Sequence, residues 1–222
     1  MWVGLLGAAL VGVVGGALHA LATVTFGVDH IVSGVSINII AAGVASFLAE
    51  ALFTGLPGGG PTQSPSLDRP PTVTIPGLDG FTSELAAKGW FLISDLAALV
   101  NALTASMSLF TLVALLLIFG TGWLLWRTSF GLRLRSCGES PWAAETLGVN
   151  VYRYKFVAVT MSGVFAGMGG AYLALVASSG YQNGQTGGRG YIGLAAMIFG
   201  NWRPTGLLTG SLLFGYTDAA RL

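Results

Sequence analysis

The sequence predicts an all-α, polytopic transmembrane helical bundle. Three observations carry that reading. Only 9% of the 222 residues are Asp, Glu, Lys or Arg, against roughly a quarter in ordinary soluble domains. Apolar residues make up 53% and the mean hydropathy is +0.74, too little polarity to cover a water-facing surface of this size. The apolar residues also fall in long blocks free of those four residue types: Met1 to Val28, Ile31 to Ala49, Leu96 to Trp126 and Phe156 to Gly188. About 20 apolar residues cross roughly 30 Å of hydrocarbon at 1.5 Å per residue, and each block reaches or approaches that length.

The first block is read as a span over residues 2–24. A secretory signal peptide would need a basic leading region and a shorter apolar run. Orientation follows from charge, because loops rich in Lys and Arg stay in the cytoplasm. Five of the ten basic residues lie between Arg127 and Lys155, opposed only by Glu139 and Glu145. Residues 127–155 are therefore expected to face the cytoplasm. The segment 57–100 is net acidic and holds Pro57, Pro61, Pro65, Pro70, Pro71 and Pro76, six of the eight prolines. Such a stretch cannot be helical membrane core and is assigned to the outer face, with a short amphipathic surface helix over 82–100.

Alternation supplies the rest. The first helix runs inward, and Gly27-Val28-Asp29-His30 is a cytoplasmic turn. A second helix, 31–54, returns outward. A third, 102–126, runs inward to the interfacial Trp123, Trp126 and Arg127. A fourth, 156–177, runs outward to the polar loop that follows Ser178. The apolar runs Gly190 to Trp202 and Pro204 to Thr217 are each too short to span. They form either one long helix kinked at Pro204 or, as favoured here, a re-entrant pair broken at mid-membrane depth. The whole of 1–222 is read as one transmembrane domain.

Candidate functional residues are sparse. Gly12 and Gly16, Gly163 and Gly167, and Gly206 and Gly210 have the spacing that lets helix backbones approach closely in lipid, and packing is their expected role. Within the spans the ionisable groups are few, chiefly Glu50 and His19. Ion-coupled carriers usually keep such groups in the membrane, so energy is expected to enter from elsewhere. Ser33 and Asn38 on the second helix, with Tyr181, Asn183 and Tyr191 in and beside the outer loop, are candidates for a solute pathway. For Asn38 an interhelical hydrogen bond is the commoner alternative. For the outer loop, a plain connector is as good a reading as a gate or docking lip. No spacing of His, Cys and carboxylates suits a metal, Gly58-Gly59-Gly60 lacks the context of a phosphate cradle, and no catalytic constellation or cofactor motif is present.

The cytoplasmic segment is the most informative. Ser140 and Pro141 read as N-cap and first residue of a helix, and Gly148 as its terminator. The result is a short surface helix flanked by basic arms, which suit anionic lipid headgroups. Gly138-Glu-x-Pro-x-Ala-Ala-x-x-x-Gly148 resembles the coupling loop of ABC importer permeases. Arg127-Thr-x-Phe-Gly-Leu-Arg-x-Arg135, Gly188-Arg-Gly-Tyr-Ile-x-Leu-Ala-Ala196 and Ile198-Phe-Gly-x-Trp-Arg-Pro204 extend the likeness to the branched-chain amino acid/ribose-type permease family, nearest its nucleoside and simple-sugar branch. The resemblance runs from about residue 10 to the C-terminus. It implies a multi-pass protein of the bacterial inner membrane, itself no enzyme. Its implied partners are an ATP-binding subunit, a second permease and an extracellular solute-binding protein, with no nucleic acid. Glu139, Pro141, Trp142, Ala143, Ala144, Glu145 and Gly148 would form the contact with the ATP-binding subunit. Members of that family are longer at both ends, so the chain is expected to be partial. The competing reading is a secondary transporter or channel subunit with its site at the broken C-terminal pair.

Overall fold

A computed structural model of the chain describes residues 2–68, 72–73 and 107–219. The surface helix expected over 82–100 lies outside the described residues. The chain divides into two compact units, residues 69–117 and the remainder. In the first, two-residue strands β1 (Thr72–Val73) and β2 (Met107–Ser108) pair antiparallel, Thr72 opposite Ser108. Helix α3 (Leu109–Arg127) begins in that unit and ends in the other.

The larger unit is helical. Helix α1 (Trp2–Ala20) continues through a wider π-type turn, Leu21–Thr25, and α2 (His30–Phe53) follows a short turn. Asp29 starts α2 by accepting hydrogen bonds from the amides of Ile31 and Val32, at 2.8 and 3.1 Å. After α3 come α4 (Ser129–Glu139), α5 (Pro141–Thr146) and α6 (Val151–Tyr172), the last extended by a second π-type turn, Leu173–Ala177. Two shorter helices, α7 (Arg189–Phe199) and α8 (Pro204–Ala219), close the chain. Among the described residues, four helices are long and apolar enough to cross a membrane: Trp2–Thr25, His30–Phe53, Leu109–Arg127 and Val151–Ala177. Large side chains such as Ile31, Ile39 and Phe47 stand exposed along α2. Water would not tolerate that surface, but hydrocarbon or a neighbouring subunit does.

Two close backbone approaches pair helices within the unit. Along α1 and α6, a methyl group built on Gly12 would strike the Gly163 carbonyl, and one on Gly167 would strike that of Ala8. A methyl group on Gly16 would lie 2.7 Å from the Thr160 carbonyl. The paired glycines thus meet one another, and helix backbones touch where side chains would otherwise hold them apart. The second approach joins α7 to α8. Gly200 packs on Gly206, Gly210 on Ala196, and the Phe199 and Phe214 rings meet edge to face at 5.7 Å.

This second contact decides the C-terminal geometry: α7 and α8 form an antiparallel hairpin, not one kinked helix. Asn201 and Trp202, both with left-handed backbone (φ 51° and 58°), make the reversal. The tip of the hairpin lies beside the last two turns of α3. Pro204 lies 3.7 Å from where a Gly122 β-carbon would be, and Gly122 stands five residues before the α3 terminus Arg127.

The ends sort as alternation requires. Thr25 at the first turn bonds the Tyr152 hydroxyl at the start of α6, 2.8 Å. At the opposite end, the segment after α2 meets the polar loop after α6. The Ser64 amide donates to the Tyr181 carbonyl at 2.9 Å, the Leu67 amide to that of Ser179 at 2.8 Å, and the Asn183 amide to that of Thr62 at 2.8 Å.

Candidate functional site

The segment 127–155 is more ordered than a loop with basic arms. Thr128 accepts the Gly131 amide through its hydroxyl at 3.1 Å and begins α4, a helix not among those expected from the sequence. Gly131 permits the sharp return, since any β-carbon there would meet the backbone of Leu124 and Leu125. One face of α4 is packed inward, where Cys137 is 1% exposed. Arg135 turns back over the Trp126 ring at 5.1 Å, a cation–π contact at the membrane edge. Arg133 reaches the Tyr154 hydroxyl at 3.4 Å, and that bond holds its guanidinium pKa above the usual value.

The short helix α5 forms as its local chemistry demands. Pro141 takes the first helical position, where its missing N–H costs nothing. Ser140 stands at the N-cap without a side-chain capping bond; its carbonyl accepts the Ala144 amide at 3.0 Å. Gly148, at φ 79°, terminates the helix. Its amide donates to Glu145 at 2.9 Å and the Val149 amide to Ala144 at 3.0 Å, the paired bonds of a Schellman motif.

Asn150 then caps α6, accepting the Arg153 amide at 3.0 Å. Helix α6 therefore begins at Val151 rather than near 156, and Tyr152 to Lys155 form its first turn. Phe130 packs on the Tyr154 ring, centroids 5.3 Å apart, so the same turn grips α4. Replacing Asn150 with alanine is expected to cost about 1 kcal/mol of stability, read as a lower thermal midpoint in detergent. Asn150→Asp should restore it.

The outcome is a rigid platform with one displayed element. Ala144 faces inward at 2% exposure and anchors α5 to the bundle, whereas Trp142 is 82% exposed. Ala143, Glu145 and Gly148 are exposed beside it, Glu139 lies just before, and Pro141 is half-buried. Trp is among the residue types enriched at the centres of protein contacts.

The five residues suggested for a solute pathway are not gathered in one place. Ser33 is buried at the first-turn end and bonds His19 Nδ1 at 2.9 Å, tying α2 to α1. Asn38 is exposed further along α2. Tyr181 and Asn183 sit together at the opposite end, where Tyr181 packs on Phe53 (6.3 Å) and Asn183 accepts the Ser46 hydroxyl at 3.4 Å. Tyr191 is exposed at the start of α7.

Known proteins resemble the chain along nearly its whole length. The guanosine ABC transporter permease protein NupQ of Bacillus subtilis is 33% identical over 98% of this chain and 62% of its own. The nucleoside ABC transporter permease protein NupC of Lactococcus lactis is 36% identical over 96% and 61%. A putative glucose ABC transporter permease protein, TsgC13, of Haloferax volcanii is 31% identical over 93% and 56%. The chain thus spans about three-fifths of the length of these relatives. No solved structure matches it. The family described as branched-chain amino acid transport system / permease component matches residues 1–221, and with a multi-pass helical bundle and a displayed α5, the chain belongs to that family.

Proposed function

We propose that the chain is the membrane-spanning part of a permease subunit in an ATP-driven importer, carrying a small polar solute inward. The carrying observation is α5: a short helix, closed at both ends by its own backbone chemistry, displaying Trp142 and Glu145 on a basic platform. Short connections join it to α4 and α6. A push on α5 therefore moves the first turn of α6, and through the glycine seam, α1. An ATP-binding partner subunit closing on α5 supplies the push, and hydrolysis belongs to that partner. A second permease subunit covers the apolar surfaces left exposed, and an extracellular solute-binding protein delivers the solute. The names of the relatives favour a nucleoside or simple sugar.

The test is recruitment. Trp142→Ala together with Glu145→Lys should weaken co-purification of the ATP-binding subunit about tenfold or more, as loss of a central contact does. Gln182→Ala, at the opposite end, should leave it unchanged. Undiminished association in the double variant would overturn the assignment of α5. Solute uptake by the reconstituted permease with no ATPase present would overturn ATP-driven import itself.

A further inference from the structure

At the end of the bundle that carries α5 there is a cavity of about 360 Å³ between four elements. A water molecule occupies about 30 Å³ in the liquid, so the space holds a group of many atoms. Its polar wall is Lys155 from the first turn of α6, His30 from the first turn of α2, and Thr23. Cys137 of α4 completes that side, and Leu134, Ala158 and Val159 form the apolar part.

The order of these residues is informative. Ala158 and Val159 lie three and four residues beyond Lys155 on α6, about 4.5–6 Å further into the bundle. The wall is therefore cationic at the rim and apolar one turn deeper. Asp29, next to His30, spends one carboxylate oxygen on the amides of Ile31 and Val32. The Thr23 hydroxyl donates to the His19 carbonyl at 2.8 Å. Among the described residues, that leaves the Lys155 ammonium and the His30 ring at the rim with no hydrogen-bond acceptor.

We infer that this cavity binds a phosphate group through Lys155 and His30. A phospholipid headgroup, with its acyl chains descending past Val159, follows the polarity of the wall, and basic pockets between helices near the cytoplasmic surface take anionic lipids. A free phosphate from solution has the same recognition chemistry at the rim. The inference stands apart from the proposed import function.

Cys137, the sole cysteine of the sequence, lines the cavity at 1% exposure, so its alkylation proceeds through local opening and slows when a bound group holds the cavity closed. The intact protein is placed in nanodiscs of phosphatidylcholine alone, of phosphatidylcholine with phosphatidylglycerol, or of phosphatidylcholine with added inorganic phosphate. Alkylation of Cys137 by a small uncharged reagent is followed by peptide mapping. Phosphatidylglycerol should slow alkylation about fivefold, the ratio matching about 1 kcal/mol for a basic residue at an anionic lipid surface. Lys155→Gln should remove the difference and Lys155→Arg should retain it. Slowing by inorganic phosphate in neutral discs, with none from phosphatidylglycerol, identifies a soluble source for the same site. Equal rates in all three discs, or slowing that survives Lys155→Gln, overturn the inference. Native mass spectrometry of retained phosphatidylglycerol gives a second readout: equal retention by wild type and Lys155→Gln also overturns it.

Discussion

Gly163→Val is expected to separate α1 from α6 and abolish the folded bundle. A β-carbon at Gly163 would strike the Gly12 carbonyl and approach the Gly16 backbone at 2.6 Å. The obstructing atoms are main chain on a rigid helix, so no side chain can rotate aside. Overpacking of ordinary cores costs about 1–3 kcal/mol and occasionally more, and this site belongs at or above the upper figure. Gly12→Val should behave alike, because it meets the same contact from the other helix. Gly15→Ala supplies the contrast, since nothing lies within 4 Å of a β-carbon there. Thermal unfolding by fluorescence-detected gel filtration reads the result. A Gly163→Val protein as stable as Gly15→Ala would refute the seam.

Cysteines placed at Phe199 and Phe214 should crosslink rapidly. The two rings are 5.7 Å apart in the hairpin. In one continuous helix the same positions, fifteen residues apart, would stand about 22 Å from each other. The hairpin and the kinked helix therefore give opposite results. Gly206→Val should suppress the crosslink and cost about 2–3 kcal/mol, because its β-carbon falls on the Gly200 backbone. At the tip, Asn201→Val should cost about 1–2 kcal/mol, because a β-branched side chain tolerates left-handed backbone far less well than asparagine does. Asn201→Gly should stay close to wild type, since glycine takes φ near 51° without strain. Slow crosslinking in the wild-type background would restore the kinked helix.

The platform around α5 shows how far local signals reach. Pro141 at the start and Gly148 at the end were legible because each acts within a few residues, through a missing N–H and a positive φ. The direction of α5 was not. Ala143 and Ala144 are the same residue type side by side, and packing against the bundle alone decides that Ala144 is buried. Helix α4 was missed for a similar reason. Gly131, Ser136 and Gly138 lower its intrinsic propensity, and its place is held by Phe130 on the Tyr154 ring and by the burial of Cys137.

By itself, then, the sequence determined that four helices of membrane length are present, the sorting of loops to two ends, and the boundaries of the short displayed helix. Hydropathy, charge and capping are properties of a short window and survive without knowledge of neighbours. Only the tertiary structure decided that Gly12 meets Gly163, that the last two helices reverse rather than kink, and that Ser33 is spent on His19. Those outcomes depend on which backbones can approach without a side chain between them. That is a relation between segments up to about 150 residues apart, invisible in any window read alone.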